Sequence, residues 1–145
     1  MRFDIDTSPN PTGRQVVVDG LNAYNRLHVP PDGWEPLSIF VRDDADTILG
    51  GLVGETFWNW LHIELLWIDE TQRRHGLGTR LLAVAEEQAI ERGCLGAFVN
   101  TMDFQAPDFY HKHGYCEEGR IPDLPRGHWR IHLQKRFADA DATMA

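Results

Sequence analysis

Gln72-Arg73-Arg74-His75-Gly76-Leu77-Gly78-Thr79-Arg80-Leu81-Leu82, in one-letter form QRRHGLGTRLL, is the stretch on which the reading of the whole chain turns. Before it stands the continuous apolar run Leu65 to Ile68. After it, Leu77, Leu81, Leu82, Ala85 and Ala89 fall on one face of a helix that runs from Gly76 to about Arg92. Gly93 occupies the place of a C-terminal glycine cap. A helix N-terminus carries partial positive charge and favours acids nearby. This chain has a net charge of −8 and still gathers three arginines and a histidine there. Gly76 and Gly78 strip two side chains from the first turn, so free backbone N–H groups can approach an anion closely. Phosphate is the usual occupant of such a turn. The competing reading is a tight strand-to-helix turn flanked by solvated arginines.

Two phosphate motifs are excluded. The P-loop needs a lysine followed by Ser or Thr after its last glycine, and no such lysine is present. The dinucleotide fingerprint GxGxxG needs a third glycine where Leu81 stands.

Outward from the turn, the chain alternates strands and helices. "RFDIDT" at 2–7 has the alternation of a first strand. A helix is expected from about Gly13 to His28, with Val17, Leu21, Tyr24 and Leu27 in phase, ended by Pro30 and Pro31. "PLSIFVRDD" reads as a strand and "DDAD" at 43–46 as a turn. "TILGGLVGETFW" is a strand whose three glycines mark bulges or close backbone approaches. "WLHIELLWIDE" is the next, closing an antiparallel meander. Beyond the central helix come a short buried strand, "CLGAFVNT", and a short helix from about Gln105 to His113 stopped by Gly114. Two strands, "YCEEGR" and "HWRIHLQKRF", finish the domain. Strand, glycine turn, helix, strand is a βαβ unit, so the fourth and fifth strands of this count should run parallel. The expected class is α/β (α+β): one domain over 1–137, with a disordered tail at 138–145.

Composition narrows the function. The chain of 145 residues is 42% hydrophobic and 10% aromatic, as a folded domain with a core requires. No apolar run nears the roughly 20 residues that span a bilayer, and "MRFDIDTSPNPTG" lacks the apolar core of a signal peptide. A cytoplasmic protein acting away from membranes is expected. The acidic balance argues against nucleic acid as a partner and fits a cationic substrate such as an amine. Cys94 and Cys116 show no CxxC spacing, so neither a metal nor a redox motif is supported.

Arg73-Arg74-His75-Gly76-Leu77-Gly78 has the form R-x-x-G-x-G, after an apolar strand and opening an amphipathic helix, midway along the chain. In this setting it resembles the acetyl-CoA motif of the GNAT superfamily of N-acetyltransferases. The resemblance runs from about Arg2 to Phe137 and is strongest from Leu61 to Tyr115. It implies the GNAT fold: a mixed, mostly antiparallel twisted sheet with helices on both faces and a splay between the parallel fourth and fifth strands. It also implies acetyl-CoA as cosubstrate. The pyrophosphate would rest on the N–H groups of Arg74, His75, Gly76, Leu77, Gly78 and Thr79, with Arg73 opening the motif. A bulge in the preceding strand would open the splay, and the backbone of Leu66, Trp67 and Ile68 would pair with the pantetheine arm.

Amine acetylation by a thioester needs a proton removed from the alkylammonium, of ordinary pKa about 10.4, and benefits from one given to the departing thiolate. "FYHKHGY" supplies the acid by resemblance: Tyr110 lies four residues before Gly114, like the family tyrosine that reaches the coenzyme sulfur. The bland reading of Tyr110 is a packed aromatic beside Phe109. The family often places an asparagine one or two helical turns earlier; here "TMDFQAPDFY" offers Asp103 and Gln105 instead. A branch of short bacterial GNAT proteins has a similar FQAxxFYxxxGY run. For the base, His62 and Glu64 are two apart on a strand and share a face, at distances from the glycine motif that resemble those of catalytic residues in the family. One or both would relay the amine proton through water; the bland reading is two polar residues on a solvent-facing side. Trp34, Trp58 and Trp60 are candidates to line an acceptor pocket, and the loop Ile121 to His128 to frame it. The implied reaction is direct transfer of acetyl to a primary amine, of a small molecule or a peptide, in a ternary complex. The alternatives are a non-catalytic acyl-CoA-binding module and a transferase of a longer acyl group. A homodimer through the final strand is compatible with the pattern.

Overall fold

The computed structural model describes residues 1–138, so the expected tail lies outside the described residues except for its first position. The chain forms two compact units, Met1–Asp32 and the chain from Gly33 onward.

The first unit holds helix α1, Pro11–Asn25. Asn10 caps it by accepting from the Gly13 N–H at 2.8 Å, and Pro11 opens it. The helix therefore starts at Pro11, two residues before the expected Gly13. Residues 2–7 form no strand, contrary to their alternation. Only Phe3 and Ile5 are large and apolar there, and both are exposed. Alternation proposes a strand, but only a partner and buried area make one.

The second unit is a six-stranded sheet with two helices. Its strands are β1 (Glu35–Arg42), β2 (Ile48–Phe57), β3 (Trp60–Ile68), β4 (Gly96–Met102), β5 (Cys116–Pro122) and β6 (Trp129–Arg136). Helix α2 is Leu77–Glu91 and α3 is Pro107–Lys112. The spatial order is β1-β2-β3-β4-β6-β5, with β3–β4 the one parallel pair. This is the mixed, mostly antiparallel sheet expected, and β3–β4 is its fourth-and-fifth pair renumbered. The final strand is not an edge: β6 lies between β4 and β5, so both of its ladders are filled and it offers no edge to a second copy.

The β2–β3 hairpin sets the geometry that matters. Trp58 and Asn59 form its two-residue turn with φ of 44° and 62°, the left-handed pair that matches strand twist. That turn fixes the register Phe57 to Trp60, Thr56 to Leu61 and Glu55 to His62. Then the ladder slips: Gly54 faces Ile63, Val53 faces Leu65, and Glu64 is the extra residue. The core positions of β3 accordingly run Leu61, Ile63, then Leu66 and Ile68, leaving Glu64 and Leu65 both exposed. Gly54 is obligatory at the slip, because a Cβ there would stand 2.3 Å from the His62 carbonyl oxygen.

β3 and β4 pair only from Trp60–Ile63 against Gly96–Val99. Beyond that point β3 is held by β2 alone and β4 by β6 alone. Leu81, Leu82, Ala85 and Ala89 of α2 pack on Leu52, Leu61, Ile63, Leu133 and the rings of Tyr110 and Tyr115. Arg92 locks the far end of α2 to the sheet, donating to Thr56 Oγ1 at 3.1 Å and to the Pro36 carbonyl at 3.2 Å.

Candidate active site

The glycine turn is a concave row of donors. Arg74 and Gly76 are both left-handed, with φ of 66° and 75°, a backbone of the kind that curls successive N–H groups around an anion. No side chain caps α2, and no acid sits in its first turn. The first donor used by the helix is Arg80, to the Gly76 carbonyl at 3.1 Å. The N–H groups of Arg74, His75, Gly76, Leu77, Gly78 and Thr79 donate to nothing among the described residues. A Cβ on Gly76 would meet open space. These six donors lie on a turn where Arg74, His75 and Arg80 are exposed, a setting whose chemistry suits an anion such as a diphosphate.

Arg73 does something different. Its Nε donates to the Ile68 carbonyl at 3.1 Å, bracing the turn against the end of β3. The short 3-10 turn between them is capped by Asp69, which accepts from the Thr71 N–H at 2.9 Å and hydroxyl at 2.6 Å; these bonds hold its carboxyl below the usual range. Leu66, Trp67 and Ile68 pair with β2 on one side, while their other side faces the gap left by β4.

Helix α3 closes the mouth of the turn. The Phe109 ring lies 3.4 Å from where a Gly78 Cβ would stand, and His113 Nε2 meets Thr79 Oγ1 at 3.1 Å. Tyr110, next along, is buried edge-on to Phe109 and Tyr115. Burial pushes its phenol up to about 12, so the hydroxyl stays a donor at physiological pH. Asp103 and Gln105, standing where the family often has asparagine, are occupied locally. Asp103 bonds His128 Nδ1 at 2.9 Å and accepts from the Trp129 N–H at 3.1 Å, while Gln105 Oε1 accepts from the Met102 N–H at 2.9 Å. Asp103 thereby ties the loop before β6 to the end of β4.

The opposite face of the sheet carries side chains rather than bare backbone. His62 stacks on Phe98 of β4, centroids 4.8 Å apart and planes at 12°. Its Nδ1 meets Glu55 Oε1 at 3.3 Å, and Trp34 Nε1 donates to Glu55 Oε2 at 2.8 Å. Glu64 lies at the bulge, exposed. Beside Phe98 opens a cavity of about 300 Å³ lined by Phe57, Trp58, Trp60, Phe98, Glu118 and Gln134. Trp58 and Trp60 are thus part of a pocket as expected, whereas Trp34 serves Glu55.

Sequence reading missed Glu55 altogether. Its signal was available: Glu55 and His62 are symmetrically placed about Trp58-Asn59, and a two-residue hairpin turn makes such residues direct neighbours. It also missed the tie of Tyr115 and Lys135 to Glu86 on α2, in which the Tyr115 hydroxyl donates at 3.1 Å and the Lys135 ammonium at 2.5 Å. Cys94 is buried, and burial raises its thiol further, which suits a core residue.

The sequence profile of the Acetyltransferase (GNAT) family matches residues 14–115. A crystal structure from Agrobacterium tumefaciens, assigned as an acetyltransferase, superposes with a TM-score of 0.87 at 35% identity, covering 94% of this chain and 100% of that one. The blasticidin-S acetyltransferase of Streptomyces morookaense is 53% identical over 96 residues, 63% of this chain and 71% of that protein. A protein of Bacillus anthracis crystallised in complex with acetyl coenzyme A matches with a TM-score of 0.63 at 26% identity, over 79% of this chain and 68% of that one.

Proposed function

Since the chain belongs to the acetyltransferase (GNAT) family, and is therefore an acyltransferase, we propose that it moves acetyl from acetyl-CoA directly to the primary amine of a small cationic molecule. The observation that carries the reading is the row of six undonated backbone N–H groups from Arg74 to Thr79 at the mouth of the β3–β4 splay. The diphosphate of the cosubstrate suits that row. The free side of Leu66, Trp67 and Ile68 offers the pantetheine amides a strand edge, and the thioester then lies toward Tyr110 and the bulge.

Each chain residue has a task in this scheme. His62, with Glu64 as the second candidate, accepts the ammonium proton, directly or through water. The freed amine forms the new C–N bond at the thioester carbonyl, and a backbone N–H of β3 near the bulge steadies the carbonyl oxygen. As the C–S bond breaks, the Tyr110 hydroxyl gives its proton to the sulfur, and the second proton shed by the attacking nitrogen returns to the phenolate through water. Amide and free thiol are the products, and the proton taken by His62 leaves through solvent.

Three observations favour a small cationic acceptor over a peptide. One relative is named for blasticidin S. The pocket lined by Phe98, on which His62 stacks, is small and holds four aromatic side chains and Glu118, a composition that attracts cations. The chain as a whole is strongly acidic.

The test is a titration of acetyl-CoA, followed by thiol release with a panel of blasticidin S, other small amines and lysine peptides. Micromolar coenzyme binding and turnover confined to small cationic amines are expected. Tyr110→Phe should lower turnover about 10²-fold or more, the scale of general acid catalysis, with coenzyme affinity intact. No binding at millimolar coenzyme would overturn the proposal. Binding without turnover of any amine would favour a coenzyme-binding module, and preference for a longer acyl-CoA would replace the acetyl group.

A further inference from the structure

We propose that Glu55 is a positioning residue for His62: held by Trp34, its carboxylate keeps the imidazole proton on Nδ1 and leaves Nε2 as the basic nitrogen. This rests on the reading of His62 as proton acceptor above.

Register brings the pair together. The Trp58-Asn59 turn makes Glu55 and His62 direct cross-strand partners, on the face away from α2. The bulge comes one residue later, so the pairing is settled before the ladder slips. Glu55 then has two neighbours of fixed chemistry. The indole of Trp34 can only donate, and it takes Oε2 at 2.8 Å. Oε1 is left for His62 Nδ1 at 3.3 Å. An ionised carboxylate can only accept, so Nδ1 must carry the hydrogen, and a neutral imidazole then has its lone pair on Nε2. The bonds from Trp34 and His62 hold the Glu55 carboxyl below its ordinary value, which keeps it an acceptor at working pH. Phe98, stacked on the imidazole, fixes the ring plane. Tautomer, plane and direction are therefore all specified by residues outside the glycine motif. Phe98 also lines the aromatic pocket, so the oriented ring adjoins the place proposed for the acceptor.

Glu55→Gln separates this from a merely structural contact, because Trp34 dictates how the amide must sit. The indole takes the single carbonyl oxygen, which presents the amide NH2 to Nδ1. Nδ1 must then accept, and the proton moves to Nε2. Nitrogen-15 spectra of the histidines, with His62 assigned by its loss in His62→Ala, should show Nδ1–H in the wild type and Nε2–H in Glu55→Gln. In Trp34→Phe/Glu55→Gln the amide is free to turn its oxygen to His62, and Nδ1–H should return. Turnover on an amine found active should follow the tautomer: down about 10–100-fold in Glu55→Gln, the usual scale for a supporting residue, recovered in part in the double variant, with acetyl-CoA affinity unchanged throughout. In the His62→Ala background Glu55→Gln should change turnover no further.

If Glu55→Gln keeps Nδ1–H, or its loss of turnover multiplies with that of His62→Ala, the assignment of Glu55 is overturned. If His62→Ala itself retains full turnover, it is the base assigned to His62 that fails. The nitrogen-15 spectra then still report on Glu55 by themselves.

Discussion

The two ends of β3 are built on different plans. Where β3 runs on past β4 into the glycine turn, the side proposed for the coenzyme is backbone: six N–H groups, two left-handed residues and a strand edge, with side chains mostly cleared away. Where β3 still pairs with β4, the side proposed for the acceptor is side chain: His62, Glu55, Trp34 and Phe98 locked by one hydrogen-bond chain and one stacked pair. Backbone donors bind a diphosphate whatever residues carry them, so that plan is robust to substitution except where the backbone is left-handed at a glycine, as at Gly76. Side-chain networks recognise one acceptor and can be exchanged for others. The difference teaches which half of the proposed site depends on backbone shape and which half on the identity of its side chains.

The largest expected break in this contrast comes at Gly76. A valine there would have to hold φ near 75°, strained for a β-branched residue, and its Cβ would project into open space rather than into the protein. The fold should survive while the donor row is displaced or blocked. Each lost hydrogen bond to a charged phosphate is worth about 1.5–3 kcal/mol, so acetyl-CoA affinity should fall at least about 10-fold by calorimetry. Gly78→Ala is the control, since its Cβ would lie 3.4 Å from the Phe109 ring, a contact that a small shift relieves. Equal losses at the two glycines would mean that the turn is only a tight corner and not a cradle.

Gly54 tests the joint between the two sides. Any Cβ there would collide with the His62 carbonyl oxygen at 2.3 Å, and that carbonyl cannot move without shifting the bulge. Gly54→Ala should cost about 1–3 kcal/mol of stability, the usual range for overpacking, seen as a lowered denaturation midpoint. The bulge is what re-aims β3 after His62, so turnover should drop by more than the loss of folded protein explains. Full activity per folded molecule would show that the acceptor side tolerates a straightened β3.

What could be read from the sequence follows the same division. The glycine turn, α2, its Gly93 cap and the close backbone approach at the β2 glycines were legible because each is a local pattern with a steric meaning. The parallel pairing followed from chain order alone. Residues 2–7 misled because alternation over six residues says nothing about whether a partner strand exists, and Phe3 and Ile5 stay exposed. The place of the last strand in the sheet was not legible, because nothing local tells that β6 inserts between β4 and β5. Tyr110 and His62 were proposed from the family resemblance and their position relative to the turn. Glu55 was not, because its meaning depends on a register counted from Trp58-Asn59 and on an indole 21 residues away in the chain.

The smallest effect expected is one of pH, and it sets Tyr110 apart from a surface phenol. Burial disfavours the charged phenolate, which raises its value to about 12 from the ordinary 10. The sign follows directly: the protonated form, which is the acid, persists upward through the range in which an exposed tyrosine would ionise. Turnover should therefore show no basic limb from this group below about pH 11. The phenolate absorbance of wild type minus Tyr110→Phe should stay flat over the same range. A limb near pH 10, absent in Tyr110→Phe, would mean that water reaches the hydroxyl freely in the working enzyme. The core packing of Phe109, Tyr110 and Tyr115 would then have to open during the cycle, and the coenzyme side would be less preformed than its backbone suggests.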